Sequence, residues 1–139
     1  MKKLILIALT LSLVTISTPE SETKAGDYNL LALTLCDLAK NNGRSKMRKK
    51  LKAAKVKLRK VYTGITCAAD DKFNGGSLLR MATAHGAMDS ANFLATKAGK
   101  DAMSFAEHDG KNIIEWTQSI IDAGQADKQE FLDLYQSKI

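Results

Sequence analysis

The chain is 139 residues long, carries a formal net charge of +6 and holds a single proline, Pro19. A length this short excludes more than one sizeable core. The lack of proline elsewhere and of β-branched runs, with abundant Ala, Leu and Lys, excludes a strand-rich fold in favour of helices.

Lys2 and Lys3 form a short positive region ahead of an uncharged run from Leu4 to Ile16. That run suits the apolar segment of a secretory signal and falls short of the roughly 20 residues a membrane-spanning helix needs. Cleavage after Ala25 places Thr23 and Ala25 at the small-residue positions; cleavage after Ser17, with Thr15 upstream, is the alternative. No cysteine lies near either site to carry a lipid anchor. The expectation is a signal peptide over residues 1–25 and a single helical domain over 26–139. That mature form is periplasmic or secreted and has no transmembrane segment.

A first helix is expected over residues 27–40, with Leu31, Leu35 and Leu38 on one stripe beside Ala32 and Ala39. Gly43 in Asn41-Asn42-Gly43 suits a left-handed cap. Cys36 on this helix and Cys67 are the only cysteines in the chain. In an exported protein an even count points to a disulfide, worth about 3–4 kcal/mol for a loop of this length. Together with His85 and His108 they show no metal-ligand spacing, so neither a metal nor any other cofactor is expected.

Ser45 is expected to cap a second helix over 46–62, with Met47, Leu51, Ala54, Leu58 and Val61 or Tyr62 inward and Val56 alone on the wrong side. The other faces carry Arg44, Lys46, Arg48, Lys49, Lys50, Lys52, Lys55, Lys57, Arg59 and Lys60, ten basic residues with no acid among them. The rest of residues 26–139 holds 8 basic and 13 acidic residues, so a slightly acidic domain carries one strongly basic element. Residues 65–76 read as a turn-rich connection.

Ser77 caps a short third helix over 78–85, closed by Gly86. Asp89 is expected to cap a fourth, with Met88, Ala91, Ala95, Ala98, Ala102 and Phe105 on its stripe and Gly99 as an interruption. Asn112 with Glu115 opens a fifth that carries Ile113, Ile114, Trp116, Ile120 and Ile121. Asp127 with Glu130 repeats that cap for a last helix bearing Phe131, Leu132, Leu134 and Tyr135. The third and fourth helices echo the fifth and sixth: a glycine-containing turn, a cap, two aliphatics, a charge and a large apolar residue. The capping positions Ser77 and Asn112 lie 35 residues apart. The spacing is similar to that of ankyrin repeats, although Leu78 and Ile113 stand where such repeats carry proline. The expected fold is all-α: about six helices in stacked antiparallel hairpins, ankyrin-like, with one disulfide.

Leu58-Arg59-Lys60-Val61-Tyr62, Gly64-Ile65-Thr66-Cys67 and Gly76-Ser77-Leu78-Leu79-Arg80, behind a signal peptide, resemble a small exported family of marine gammaproteobacteria known only as a domain of unknown function. The resemblance covers about residues 30–98. In that family the cysteine is followed almost at once by Asn-Gly; here residues 68–73 intervene. The resemblance implies compartment and fold, and no activity or cofactor.

No nucleophile–base, paired-carboxylate or phosphate-loop signature is visible, so no catalytic residue is assigned and an enzyme is not expected. His85 sits where it favours a helix C-terminus, and Glu107-His108-Asp109 reads as a solvated turn. Trp116 and Tyr135 read as core. The basic element stands out, because like charges four apart repel by about 0.2–0.5 kcal/mol per pair. Lys46 and Lys50, Arg48 and Lys52, and Lys55 and Arg59 form such pairs. Lys46, Lys49, Lys50, Lys57 and Lys60 are therefore the expected binding surface of an interaction module that contacts an acidic partner protein. A polyanion or anionic envelope component, lipopolysaccharide phosphate or anionic lipid, is the alternative, and a hydrolytic enzyme a distant one. Without interleaved aromatics, single-stranded nucleic acid is not an expected partner.

Overall fold

The computed structural model describes the backbone from Glu20 and the side chains from Asp27 through Ile139. The expected signal peptide lies outside the described residues, apart from positions 20–25, whose backbone is helical. Among the described residues eight α-helices follow in order: α1 (Glu20–Lys40), α2 (Arg44–Ala54), α3 (Leu58–Val61), α4 (Leu78–Ala84), α5 (Met88–Ala98), α6 (Lys100–Ser104), α7 (Ile113–Asp122) and α8 (Gln129–Gln136). Single 3-10 turns, Tyr62–Gly64 and Ala126–Lys128, extend α3 and precede α8. Among the described residues there is no strand, only isolated antiparallel bridges between Cys67 and Gly76 and between Asp70 and Phe73. No described helix is long and apolar enough to cross a membrane.

The core gathers Leu35 and Ala39 from α1, Met47 and Leu51 from α2, Leu78, Leu79 and Ala82 from α4, and Ala91, Leu94 and Ala95 from α5. The small residues of α5 let its neighbours approach closely, and it contacts α1, α2, α3, α4, α6 and α8. Helix α4 packs on α5 and on α7, and α7 packs on α8. Tyr135 of α8, fully buried, shares a 2.7 Å hydrogen bond with Thr83 of α4, whose own hydroxyl lies 2.6 Å from the Leu79 carbonyl. Burial pushes the phenols of Tyr135 and Tyr62 well above the ordinary value.

Cys36 and Cys67 are bonded, with Cα atoms 5.6 Å apart and a sequence separation of 31. The bond ties the middle of α1 to the turn region over 65–76. There the Cys67 N–H donates to Gly76 O and the Gly76 N–H to Cys67 O, at 2.6 and 3.1 Å. Residues 68–73 close a turn that plugs Phe73, 3% exposed, into the core.

Several local expectations are corrected. The second helix does not run unbroken over 46–62. Lys55 adopts a left-handed conformation, φ +55, and the Val56 N–H donates back to Leu51 O at 3.1 Å. This is a Schellman ending, which brings the residue after the left-handed one against the last buried turn. Its physical reason is Val56: a continuous helix would leave it among the charges, whereas the break turns it inward, half-buried against the core. Ala54, expected on the buried stripe, is exposed instead.

The left-handed residue that ends α1 is Asn42, φ +59, and not Gly43. From that position Asn42 Oδ1 accepts the Ser90 N–H at 3.0 Å and its Nδ2 donates to Asp89 at 3.2 Å. Asn42 therefore caps α5 from the turn between α1 and α2 and displaces Asp89 from the expected role. Neither Ser45 nor Asp127 caps a helix, since α2 starts one residue earlier, at Arg44, and a 3-10 turn occupies 126–128. Ser77 and Asn112 do cap, accepting the Arg80 and Glu115 N–H groups.

Candidate interaction surface

Because Met47, Leu51 and Leu58 point into the core, the remaining directions around α2 and α3 face outward. Lys46, Lys49, Lys50, Lys57 and Lys60 are all exposed. Among the described residues, none of the ten basic side chains between positions 44 and 60 has a carboxylate within 4.0 Å. Ion pairs do form elsewhere: Lys40 with Asp70 at 3.6 Å, Lys128 with Asp127 at 3.4 Å, and those of Arg80. The acids in these pairs, Asp70, Glu107, Asp109 and Asp127, lie away from the basic element, whose charge faces solvent or a partner.

On the flank that faces α5, α2 and α3 enclose a groove of about 500 Å³. Its floor is Leu51, Val56, Leu58 and Phe93, and its rim carries Arg48, Lys52, Lys57, Arg59 and Lys97. No acid lines it.

A second charged feature is internal. Arg80, on α4 between Leu79 and Met81, is 2% exposed. Its guanidinium donates to both oxygens of Asp109, at 2.9 and 2.8 Å, and to Lys111 O at 2.9 Å. Nε lies 2.9 Å from Glu107 Oε2, out of line for a hydrogen bond. Glu107 in turn accepts from the Ser77 N–H at 2.7 Å and its hydroxyl at 2.8 Å. Gly76 makes room for this cluster: a Cβ there would meet Glu107 Oε1 at 2.9 Å and Arg80 Cδ at 3.0 Å, at a φ of +145 that suits glycine. Trp116, half-buried, lies under the guanidinium at 5.1 Å. The Arg80 bonds hold the Asp109 carboxyl far below its ordinary value.

Glu107 and Asp109 therefore clamp a buried arginine, and the stretch Glu107-His108-Asp109 is not merely a solvated turn. The signal for it was Arg80 itself, a charge set among apolar residues on both sides of a short helix.

His85 does not pair with Asp89. Gly86, φ +69, ends α4 after it, and His85 Nε2 lies 2.7 Å from Asp70 Oδ2. The Lys72 N–H, first, and His85 hold the Asp70 carboxyl below its ordinary value. Among the described residues no three His, Cys, Asp or Glu side chains are placed to hold a metal ion.

The model of the family described as "Protein of unknown function (DUF3718)" matches residues 35–106. The chain belongs to this family. The DUF3718 span takes in both cysteines, the whole basic element and Arg80, and it stops one residue short of Glu107. Glu107, Asp109, Lys111 and Trp116, which surround the arginine, lie beyond it together with α7 and α8. Comparison with curated proteins and with solved structures found no match.

Proposed function

We propose that this DUF3718 protein is an exported interaction module, with no catalytic role, that meets an acidic partner protein through the basic element formed by α2 and α3. The observation that carries this reading is the unpaired state of that element. Ten cations lie within seventeen positions, with no described carboxylate within 4.0 Å. Their mutual repulsion is not relieved by an ion pair among the described residues, so an external acidic surface lowers the free energy of the whole. Lys46, Lys49, Lys50, Lys57 and Lys60 form the contact face. Periplasmic or secreted placement rests on the signal-like N-terminus and on a disulfide of the kind that oxidising compartments favour. We also read α4–α5 and α7–α8 as stacked, ankyrin-like hairpins, a reading supported by α4 packing on α7 and α5 on α8.

The test is affinity capture from envelope extract with the full chain, comparing wild type with Lys49→Glu/Lys50→Glu/Lys57→Glu at low and high salt. Wild type is expected to retain an acidic protein that high salt releases, because exposed charges are screened, and the reversed variant to retain none. Equal retention by both proteins overturns the reading.

A further inference from the structure

The flank of the basic element that faces α5 differs in kind from its outer face. There the apolar floor of Leu51, Val56, Leu58 and Phe93 meets a ring of five cations. The cations come from three places in the chain: Arg48 and Lys52 are one turn apart on α2, Lys57 and Arg59 open α3, and Lys97 belongs to α5. Arg59 lies close against Gly99, where an added Cβ would be 3.0 Å from its Nε. The Schellman ending at Lys55 is what brings Val56 to the floor and Lys57 to the rim.

Each simple occupant leaves part of this groove unmatched. A neutral apolar molecule covers the floor and leaves five cations facing one another. A small inorganic anion satisfies cations and leaves the floor wet. A volume of about 500 Å³ falls within the range of small-ligand clefts, roughly 300–1,000 Å³. A partner helix would instead need a longer groove with anchors over successive turns, and lysine, three of the five rim cations, is depleted at protein–protein contacts. Arginine and lysine together match the several oxygens of a phosphate, the guanidinium in bidentate fashion. We infer that the groove between α2, α3 and α5 is a ligand site for a single-chain amphiphile with a phosphate head, its chain on Val56 and Phe93 and its head among Arg48, Lys52, Arg59 and Lys97. The site shares Lys57 with the outer lysine face, takes its other residues from the flank toward α5, and does not rest on the acidic-protein reading.

The test titrates the full chain with dodecyl phosphate, with dodecylphosphocholine, whose chain matches but whose head is zwitterionic, and with inorganic phosphate. All are kept below micelle-forming concentrations and followed by backbone amide shifts. Dodecyl phosphate is expected to move Val56, Leu58, Phe93 and Lys97 and to bind about tenfold or more tightly than either control. Lys52→Glu/Lys97→Glu, both exposed positions, is expected to abolish the preference for the anionic head. Val56→Asp is expected to weaken both amphiphiles about tenfold by removing apolar contact. Lys49→Glu/Lys60→Glu, on the outer face, is expected to leave the titration unchanged, so loss of protein capture and loss of amphiphile binding are told apart. Equal binding of the two amphiphiles, shifts spread over the outer lysines, or indifference to Lys52→Glu/Lys97→Glu overturns the inference.

Discussion

Replacing Arg80 with methionine keeps an apolar stem and removes the guanidinium from a site that is 2% exposed. Glu107, whose side chain is 7% exposed, would keep both bonds from Ser77 and lose its counter-charge. Asp109 would lose two bonds at 2.9 and 2.8 Å, and Lys111 O its donor. Removing one member of a buried ion pair costs about 3–5 kcal/mol, because it strands the other charge. Against a total stability of about 5–15 kcal/mol, the Arg80→Met protein should be folded but marginal. Its melting temperature should fall by roughly 10–20 °C. The effect should also depend on pH. Asp109 is held well below its ordinary value by Arg80, so the stability it contributes is present above the unfolded value, about 4, and is lost as pH falls through the depressed folded value. The variant lacks that contribution. The gap between the two proteins should therefore narrow as pH falls below about 4. Urea denaturation followed by far-ultraviolet circular dichroism at pH 7 and pH 3 measures both effects. A loss under about 1 kcal/mol at pH 7, or a gap that does not narrow in acid, would refute the clamp.

Cys36→Ala/Cys67→Ala should lose about 3–4 kcal/mol in the same denaturation experiment, given a separation of 31 residues; a loss below about 1 kcal/mol would contradict this. Asn42→Ala should cost about 2 kcal/mol, combining the lost cap on Ser90 with a left-handed backbone that alanine resists, whereas Asn42→Gly should cost roughly half as much. Equal losses from the two would show that the backbone conformation at position 42 carries no strain. Lys49→Glu/Lys50→Glu/Lys57→Glu should change stability by no more than about ±0.5 kcal/mol per site, since all three side chains are exposed and without a described ion-pair partner; a large loss on thermal melting would mean the lysines hold the fold.

What the sequence made legible was local or set by parity. Ser77 and Asn112 announced helix starts because a short polar side chain directly ahead of two aliphatics can accept an N–H two or three residues on, which is the chemistry of a cap. Gly86 and Gly99 marked the ends of α4 and α5, and both take positive φ. Cys36 and Cys67 had only each other to pair with. The features that were missed depend on contacts across the fold. Arg80 finds its acids 27 and 29 residues later, on a loop whose composition alone suggests solvent. Asn42 caps a helix 48 residues away, which no pattern around Asp89 reveals. The break at Lys55 was hidden for a different reason. The periodicity of Met47, Leu51, Ala54 and Leu58 fits a continuous helix, and only burial of Val56 favours stopping it. Of the candidate surface, exposure of the five lysines followed from that same stripe. The groove did not, because Phe93 and Lys97 reach it from α5.

The most direct test of the basic element as the contact surface is site-specific photo-crosslinking in cells that produce the full chain. A photoreactive residue at position 50 is compared with one at position 118, exposed on α7 away from the basic run. The account predicts a covalent adduct with an acidic protein from position 50 and none from position 118. The same adduct from both positions, or no protein adduct from position 50, would contradict it.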